Sequence, residues 1–345
     1  MASVAHVCFC SSTSRSNAIL PKYRRHGYLP SSSVGFGRSS RKSQNTLFGL
    51  RNFRSTKIHP TLCRASTELR VSEEMKPIKL TYLEGNSWLW SLGGVNILVD
   101  PILVGKLDFG IPWLYEAAKK YITNEFQIED LPELDCLLIT QGLDDHCHVK
   151  TLEPLSKINP SLQVISTLNA ESLLNPLFTN VKYLEPGQSL KLVGKNSANF
   201  TVQATPGPVL GPPWQRPENG YIVSSEETQL SLYYEPHCSY DPSLLNEYRA
   251  DVVITPVVKQ LLPSFTLVSG QEDAVELAKL LGAKYVIAMK NGDLDAKGLL
   301  TKLITNQGST ESFKKLASKD LPEIEVLEPI PGIALELPVN SEIPA

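Results

Sequence analysis

One strand and the loop after it constrain this chain most. The strand is the continuously apolar run Cys136–Ile139, and the polar loop 140–148 follows it without a break. A short apolar run of this kind is typical of a strand buried on both faces in an α/β sheet. The last five residues of the loop carry two carboxylates, two imidazoles and one thiol. Because α/β proteins place their chemistry at the carboxyl ends of strands, this loop is the first candidate site.

The histidines narrow the candidate site to two segments. After residue 67 the only histidines of the chain are His146, His148 and His237. The first two lie in the loop 140–148, and His237 lies in residues 235–238, directly after another strand-like run. Imidazole is the commonest metal ligand among side chains. We therefore expect any metal site to combine these two segments.

The rest of the body alternates between strand-like and helix-like patterns. Three strands of an antiparallel meander are predicted at the start, and later apolar runs read as single strands. Helical spacing of apolar residues is clearest in two segments, of which the second ends at Gly282 as its C-cap. Residues 113–121 are interpreted as a short helix or an inserted excursion. The predicted strands are 78–84, 87–92, 95–99, 136–140, 251–255 and 285–289, and the predicted helices are 149–158, 269–281 and 310–317.

The first part of the chain has the composition of a targeting segment. Residues 1–67 contain eleven Lys or Arg residues, many serines and no Asp or Glu. This pattern predicts a plastid transit peptide, disordered, at residues 1–65, and therefore location in the chloroplast stroma. A linker at 66–76, one domain at 77–335 and a tail at 336–345 complete the predicted organisation. A basic arm that binds nucleic acid is the alternative interpretation of the charge.

The remaining 278 residues are acidic. They carry 22 of the 33 basic residues and all 36 acidic ones, a net charge of −14. An acidic body argues against nucleic acid as a partner. No apolar run approaches the roughly 20 residues that span a bilayer, so no transmembrane segment is predicted. Cys136, Cys147 and Cys238 are an odd number and are expected to be free thiols.

In this order, the segments resemble the metallo-β-lactamase superfamily, and most closely its L-ascorbate-6-phosphate lactonase-like branch. The resemblance covers about residues 78–293. It rests on the strand ending in Asp100-Pro101, on Leu137-Leu138-Ile139-Thr140, on Asp145-His146 and on Glu218-Asn219-Gly220-Tyr221. It implies a single α/β domain folded as a four-layer αββα sandwich, with the site at one edge of the two sheets. Asp100 is expected to order the loops through hydrogen bonds.

The resemblance also shows where the ligand set of the family is missing. The family's loop reads Thr-His-x-His-x-Asp-His, which serves a two-metal site. Gln141 and Leu143 stand where that pattern has its first two histidines, whereas Asp145 and His146 match it. Pro236 stands at the position of the bridging Asp and Lys290 at that of the last His. The resemblance therefore implies that a two-metal centre of the family type is lost.

One interpretation is a relocated site for a single divalent metal, zinc, iron or manganese. Its ligands are drawn from Asp145, His146, His148 and His237 or Glu235. Such an ion polarises a small ester, lactone or phosphoester and lowers the pKa of its water. Asp144 is the candidate general base. On this interpretation the protein is a mononuclear metal-dependent hydrolase.

The favoured interpretation is a metal-free pocket in a pseudoenzyme or ligand-binding protein. The Lys290 ammonium then replaces the metal and pairs with Asp145, with hydrogen bonds from His146 and Gln141. Leu143, apolar at a former ligand position, supports this interpretation. A small anionic ligand fits such a pocket, and no cofactor is needed. The third interpretation is a plastid protein-interaction factor, for which the sequence names no partner.

Overall fold

The fold is taken from a computed structural model that describes residues 77–122, 127–209, 214–225, 229–263, 265–290 and 294–337. All of these residues belong to one unit, Arg70–Ala345. The predicted transit peptide and linker lie outside the described residues, as does most of the predicted tail. No helix in the described ranges is long and apolar enough to cross a membrane.

Two seven-stranded sheets form the body of the domain. The first sheet has the order β19-β1-β2-β3-β5-β6-β7 and the second the order β18-β15-β12-β11-β10-β9-β8. Their strands are β1 Ile78–Tyr82, β2 Trp88–Leu92, β3 Val95–Val99, β5 Cys136–Ile139, β6 Gln163–Ser166, β7 Val181–Tyr183, β8 Ser189–Val193, β9 Asn199–Pro206, β10 Asn219–Ser225, β11 Leu230–Tyr234, β12 Val252–Pro256, β15 Tyr285–Met289, β18 Glu325–Leu327 and β19 Ala334–Leu337.

Five α-helices, three short 3-10 helices and two small sheets complete the described structure. The helices are α1 Val149–Ile158, α2 Glu171–Leu174, α3 Pro242–Leu245, α4 Gln271–Leu281 and α5 Thr310–Asp320. One small sheet pairs β13 Lys259–Leu262 with β14 Phe265–Val268 and β17 Thr305–Gln307. The other pairs β4 Glu116–Ala118 with β16 Asp295–Lys297. The segment expected to be a helix or an excursion, 113–121, therefore contains a strand whose partner lies far along the chain.

The strand β5 shows how the layers arise from the sequence. All four of its residues are buried, as its unbroken apolar run predicts. Cys136 and Leu138 face the core between the two sheets, whereas Leu137 and Ile139 pack with Leu152 of α1. Successive side chains of a strand point to opposite faces, so one apolar run serves both cores.

The second sheet is covered in the same way. Val252 and Ile254 of β12 face the core between the sheets, and Val253 packs with α4 and α5 in a separate outer cluster. α4 ends at Gly282, whose φ of 65° is the left-handed conformation that glycine adopts without strain. The layers are thus helix, sheet, sheet, helix. This architecture confirms the predicted four-layer αββα sandwich.

Strand direction gathers the polar loops at one edge. β3 runs parallel to β5 in the first sheet, and β11 runs parallel to β12 and β15 in the second. Residues that follow these strands, including Asp100, the loop 140–148 and residues 235–238, emerge at their carboxyl ends. Two buried tyrosines connect the sheets there: the Tyr221 hydroxyl donates to the Ile139 carbonyl at 3.0 Å, and the Tyr234 hydroxyl donates to the Asn86 carbonyl at 2.9 Å.

Candidate metal centre

Asp100 holds the base of the site in place. It follows β3, is fully buried and has a φ of 41°, an uncommon conformation for a residue other than glycine. Its Oδ1 accepts the Thr140 backbone N–H at 2.8 Å, and its Oδ2 accepts the Thr140 hydroxyl at 2.5 Å. The same Oδ2 lies 2.9 Å from Nδ1 of His146. One carboxylate therefore fixes both the start of the loop 140–148 and its first imidazole, as expected for a residue that orders the loops.

His146 is oriented so that its other nitrogen faces the candidate ligands. Nε2 lies 3.3 Å from Asp145 Oδ2 and 3.1 Å from the Asn86 side-chain nitrogen. A carboxylate on the far nitrogen is the usual way in which proteins orient a metal-binding histidine. Burial lowers the pKa of His146, but Asp145 and Asp100 outweigh it and raise the pKa to about 10. The proton on Nε2 has to leave before a metal can bind, because the ligand is the neutral imidazole.

Asp145, His146 and His237 come together from the two segments. Each offers one ligand atom, and these three atoms lie within 4.8 Å of one another. Among the described residues, no other group of three or more His, Cys, Asp or Glu side chains meets in this way. Burial raises the pKa of Asp145, but His146 and His237 outweigh this effect and the net pKa lies below its ordinary value. The carboxylate is therefore in its metal-binding, ionised form.

His237 is positioned by its own segment and by Gln141. Glu235 is fully buried, and its Oε2 accepts the backbone N–H groups of His237 and Ser239 at 3.1 and 2.5 Å. This carboxylate fixes the turn that presents the imidazole. The Gln141 side-chain nitrogen lies 2.7 Å from His237 Nδ1. Gln141, which stands where the family pattern has a histidine, therefore contacts a candidate ligand.

The donor set fits a single divalent ion. Two imidazoles and a carboxylate, with further positions open to solvent or substrate, are typical of catalytic zinc. Ligand atoms about 2.0–2.2 Å from one ion lie at most roughly 4.4 Å apart, so small side-chain rotations suffice to close the group. Three buried oxygens beside it, Asp145 Oδ1, Gln141 Oε1 and Glu235 Oε1, have no hydrogen-bond partner among the described residues. Acceptors left without donors are the kind of atoms that a cation satisfies.

Three other residues from the sequence analysis lie elsewhere. His148 is buried at the start of α1, where its Nδ1 lies 2.9 Å from the Thr151 hydroxyl, and it is not one of the three grouped ligands. Asp144 accepts the Phe109 backbone N–H through Oδ2 at 3.1 Å. The Lys290 ammonium pairs with Glu328 at 2.5 Å, a different partner from the Asp145 carboxylate expected from the sequence.

Cys136, Cys147 and Cys238 are free, as predicted, and all three are buried. Burial raises the pKa of the Cys147 thiol to about 12. It also raises the pKa of the Cys136 and Cys238 thiols. Thiols with raised pKa values are poor nucleophiles and poor metal ligands, because the reactive form is the thiolate. The cysteine of the loop 140–148 is therefore part of the core rather than part of the site.

A cavity of about 160 Å³ lies against the candidate ligands. Asp145, His237 and Asn86 line it together with a largely apolar set of side chains. Those side chains come from three segments, 102–115, 260–268 and 294–304. The site therefore has a space for a small molecule beside the two ligand-bearing loops.

A comparison with protein-family models identifies the family. The model of the "Beta-lactamase superfamily domain" matches residues 79–290, which is more than half of the chain. The chain belongs to the metallo-β-lactamase superfamily. No curated protein sequence matches the chain.

Solved structures of the superfamily fold share the architecture at low sequence identity. A metallo hydrolase, Igni18, from the archaeon Ignicoccus hospitalis is 17% identical, with a TM-score of 0.55, covering 76% of this chain and 99% of its own. A possible metal-dependent hydrolase from Veillonella parvula is 16% identical, with a TM-score of 0.55 and coverage of 76% and 100%. CmlA, a diiron β-hydroxylase from Streptomyces venezuelae, is 18% identical, with a TM-score of 0.55 and coverage of 76% and 54%. At such identities the similarity shows the fold alone.

Within the superfamily fold, sequence reasoning missed the residues that surround the ligands. Asn86 contacts both Asp145 and His146, donating to the Asp145 carbonyl at 3.2 Å. The signal for it was its position directly after the first predicted strand, in Gly85-Asn86. The apolar wall of the cavity left no local signal, since its residues are scattered over three distant segments. Glu218 was noted only as part of a family motif, yet it is buried and burial raises its pKa.

Proposed function

We propose that this protein is a mononuclear metal-dependent hydrolase of a small ester, lactone or phosphoester. The observation that carries the proposal is the convergence of Asp145, His146 and His237 within 4.8 Å, with Asp100 behind His146. A divalent zinc, iron or manganese ion held there supplies Lewis acidity to a carbonyl or phosphoryl oxygen and lowers the pKa of its water. The hydrolase-like fold of the superfamily supports the proposal.

The protein's own side chains have separate tasks in this proposal. Asp145 and His146 come from one loop and His237 from the other, so a bound ion would be held by loops from both sheets, at their carboxyl edge. Asp100 keeps Nε2 of His146 directed at the site. Asp145 Oδ1 is buried and has no hydrogen-bond partner in the described structure, so it is available to a cation or a proton donor at the site. Asp144, the base expected from the sequence, is engaged by the Phe109 backbone instead.

A second candidate function is binding without catalysis, by a pseudoenzyme that holds no metal. The observation that favours it is the 2.7 Å contact between Gln141 and His237 Nδ1, which satisfies one imidazole nitrogen without an ion. In this version the cavity of about 160 Å³ binds a small ligand. The described lining includes Asp145 and no Lys or Arg. The anionic ligand expected from the sequence would therefore meet a carboxylate in this cavity and no Lys or Arg to offset its charge.

Metal content separates the two candidates. We expect the full-length protein, purified without chelator, to contain about one zinc, iron or manganese ion per chain by elemental analysis. Chelator-treated protein is expected to regain one ion and to become more stable to heat, because a ligand that binds only the folded state stabilises it. Protein that contains no metal, and whose melting temperature is unchanged by added zinc, iron or manganese, eliminates the hydrolase proposal.

Our finer assignments of origin and location rest on sequence alone. We place the chain in the L-ascorbate-6-phosphate lactonase-like branch on its Asp100-Pro101 and Asp145-His146 motifs, and in the chloroplast stroma on the basic, acid-free residues 1–67. A fluorescent fusion to residues 1–76 is expected to enter chloroplasts and to lose the targeting segment. A fusion that stays in the cytosol contradicts the location. The role as a plastid protein-interaction factor stays a prediction from the acidic body.

A further inference from the structure

The wall of the cavity differs from its polar end. Asn86, Asp145 and His237 belong to the loops of the sandwich and contact the candidate metal ligands or are themselves ligands. The remaining wall is built largely from Ile102, Leu107, Phe109, Leu294, Leu300 and Ile304. Ile102, Leu107 and Leu294 are buried in one cluster with Ala117, so this part of the wall is packed from behind. Gln260 and the Tyr115 hydroxyl add two uncharged polar groups to a wall that is otherwise largely apolar.

The wall contains no side chain that could offset a negative ligand. None of its described residues is Lys or Arg. The segments that form it hold three lysines, Lys106, Lys297 and Lys302, and none of them lines the cavity. Lys106 pairs with Glu116 at 2.6 Å, and Lys297 lies 3.4 Å from Asp295. Proteins bind phosphate esters with arginine, lysine or clustered backbone N–H groups, because removing the charge from water is otherwise unfavourable.

From this wall we infer that the substrate is an uncharged carboxylic ester or lactone with one aryl ring or short alkyl chain, rather than a phosphoester. The inference rests on the proposed hydrolase function and names its substrate class. A cavity of about 160 Å³ is close in size to an engineered cavity of about 150 Å³ in another protein, which is lined by Leu, Ile and Phe and binds benzene. One ring or its aliphatic equivalent therefore fills the space, with the carbonyl at Asp145 and His237.

The reaction balances without any further reactant. The oxygen of water bonds to the acyl carbon, the acyl carbon–oxygen bond breaks, and the departing oxygen takes a proton from that water. A linear ester gives a carboxylic acid and an alcohol, and a lactone gives one hydroxy acid. The acid product ionises at neutral pH. Its charge is unfavourable in an apolar cavity, so the wall that admits the ester also promotes release of the product.

The affinities of a neutral probe and an anionic probe of similar shape test this inference without any measurement of activity. In chelator-treated full-length protein, methyl benzoate is expected to bind at least about tenfold more tightly than benzoate in a calorimetric titration. Two variants that place a cation in the wall, Leu300→Lys and Phe109→Lys, are expected to reverse the preference. Phe109 is 40% exposed, so the second variant keeps the test open if the first fails to fold. Ile158→Lys is the matched control, because Ile158 is 61% exposed at the end of α1. It is expected to leave the preference for methyl benzoate over benzoate unchanged.

The outcomes distinguish this inference from the hydrolase proposal. With metal restored, phenyl acetate is expected to be hydrolysed faster than phenyl phosphate. Faster cleavage of phenyl phosphate, or equal binding of methyl benzoate and benzoate, overturns the substrate class while the metal site stands. The converse result is protein that takes up no metal and still binds methyl benzoate more tightly than benzoate. That result removes the hydrolase function and supports the neutral, apolar ligand.

Discussion

Asp100→Ala is expected to destabilise the folded protein by about 3–5 kcal/mol. The substitution leaves the Thr140 backbone N–H, the Thr140 hydroxyl and the His146 imidazole without their shared acceptor in a fully buried position. Removing one partner of a buried ion pair costs about this much, because the donors stay buried without an acceptor and His146 keeps only Asp145 as a counter-charge. Urea unfolding followed by circular dichroism measures the loss as a lower midpoint with an unchanged slope.

Two milder variants show which part of Asp100 matters. Asp100→Asn keeps the shape of the side chain and tolerates the φ of 41°. Its amide is uncharged and has one acceptor oxygen, so it cannot accept from all three donors and an intermediate loss of stability is expected. Thr140→Ser keeps the hydroxyl and is expected to cost less than about 1 kcal/mol. A loss below about 1 kcal/mol for Asp100→Ala contradicts the view that this carboxylate fixes the site.

Asp145→Ala and His237→Ala are each expected to weaken metal binding by about 100-fold or more. Each variant removes one of only three grouped ligands, and even residues behind a ligand change affinity by about 10–100-fold. Both side chains line the cavity and are only partly buried, so the folded structure should survive. Equilibrium dialysis against a buffered zinc series measures the affinity.

Asp144→Ala is the matched control for these variants. It removes a neighbouring carboxylate of the same loop, whose observed partner is the Phe109 backbone N–H. Its metal affinity is expected to stay within about threefold of the unmodified protein. If Asp144→Ala weakens metal binding as much as Asp145→Ala, the loss reflects damage to the loop 140–148 rather than removal of a ligand, and the assignment of Asp145 is wrong.

The large elements were predictable because burial leaves a local pattern in sequence. The helix predicted at 149–158 has those bounds, and the apolar run at 136–139 is the strand β5. The helix predicted from residue 269 begins at Gln271, because Gly270 serves as its extended N-cap. The small sheet of β4 and β16 was not predictable: its strands have three residues each, and their partners are about 180 positions apart.

The site was predictable only to the level of the segments that build it. The concentration of histidines pointed to the loop 140–148 and to residues 235–238, and both contribute residues to the candidate ligand group. The residue types alone did not decide between His146 and His148, because the direction of each ring depends on the turn between them. Only the family resemblance matched His146 and left out His148. Only the structure shows that His148 begins α1 while His146 faces His237, with ring centres 5.4 Å apart. The partner of Lys290, Glu328, lies 38 positions away and left no signal either.

The two loops that carry the candidate ligands follow strands of different sheets. One follows β5 in the first sheet, and the other follows β11 in the second. A ligand bound at the site therefore contacts loops from both sheets, and its affinity depends on the distance between the two sheets. Buried residues such as Trp90 and Tyr234, which pack edge to face at 5.7 Å in the core between the sheets, help to set that separation. Substitutions of these core residues are expected to change the distance between the sheets and, through it, the affinity for a ligand. Residues that do not contact the ligand can therefore alter its binding.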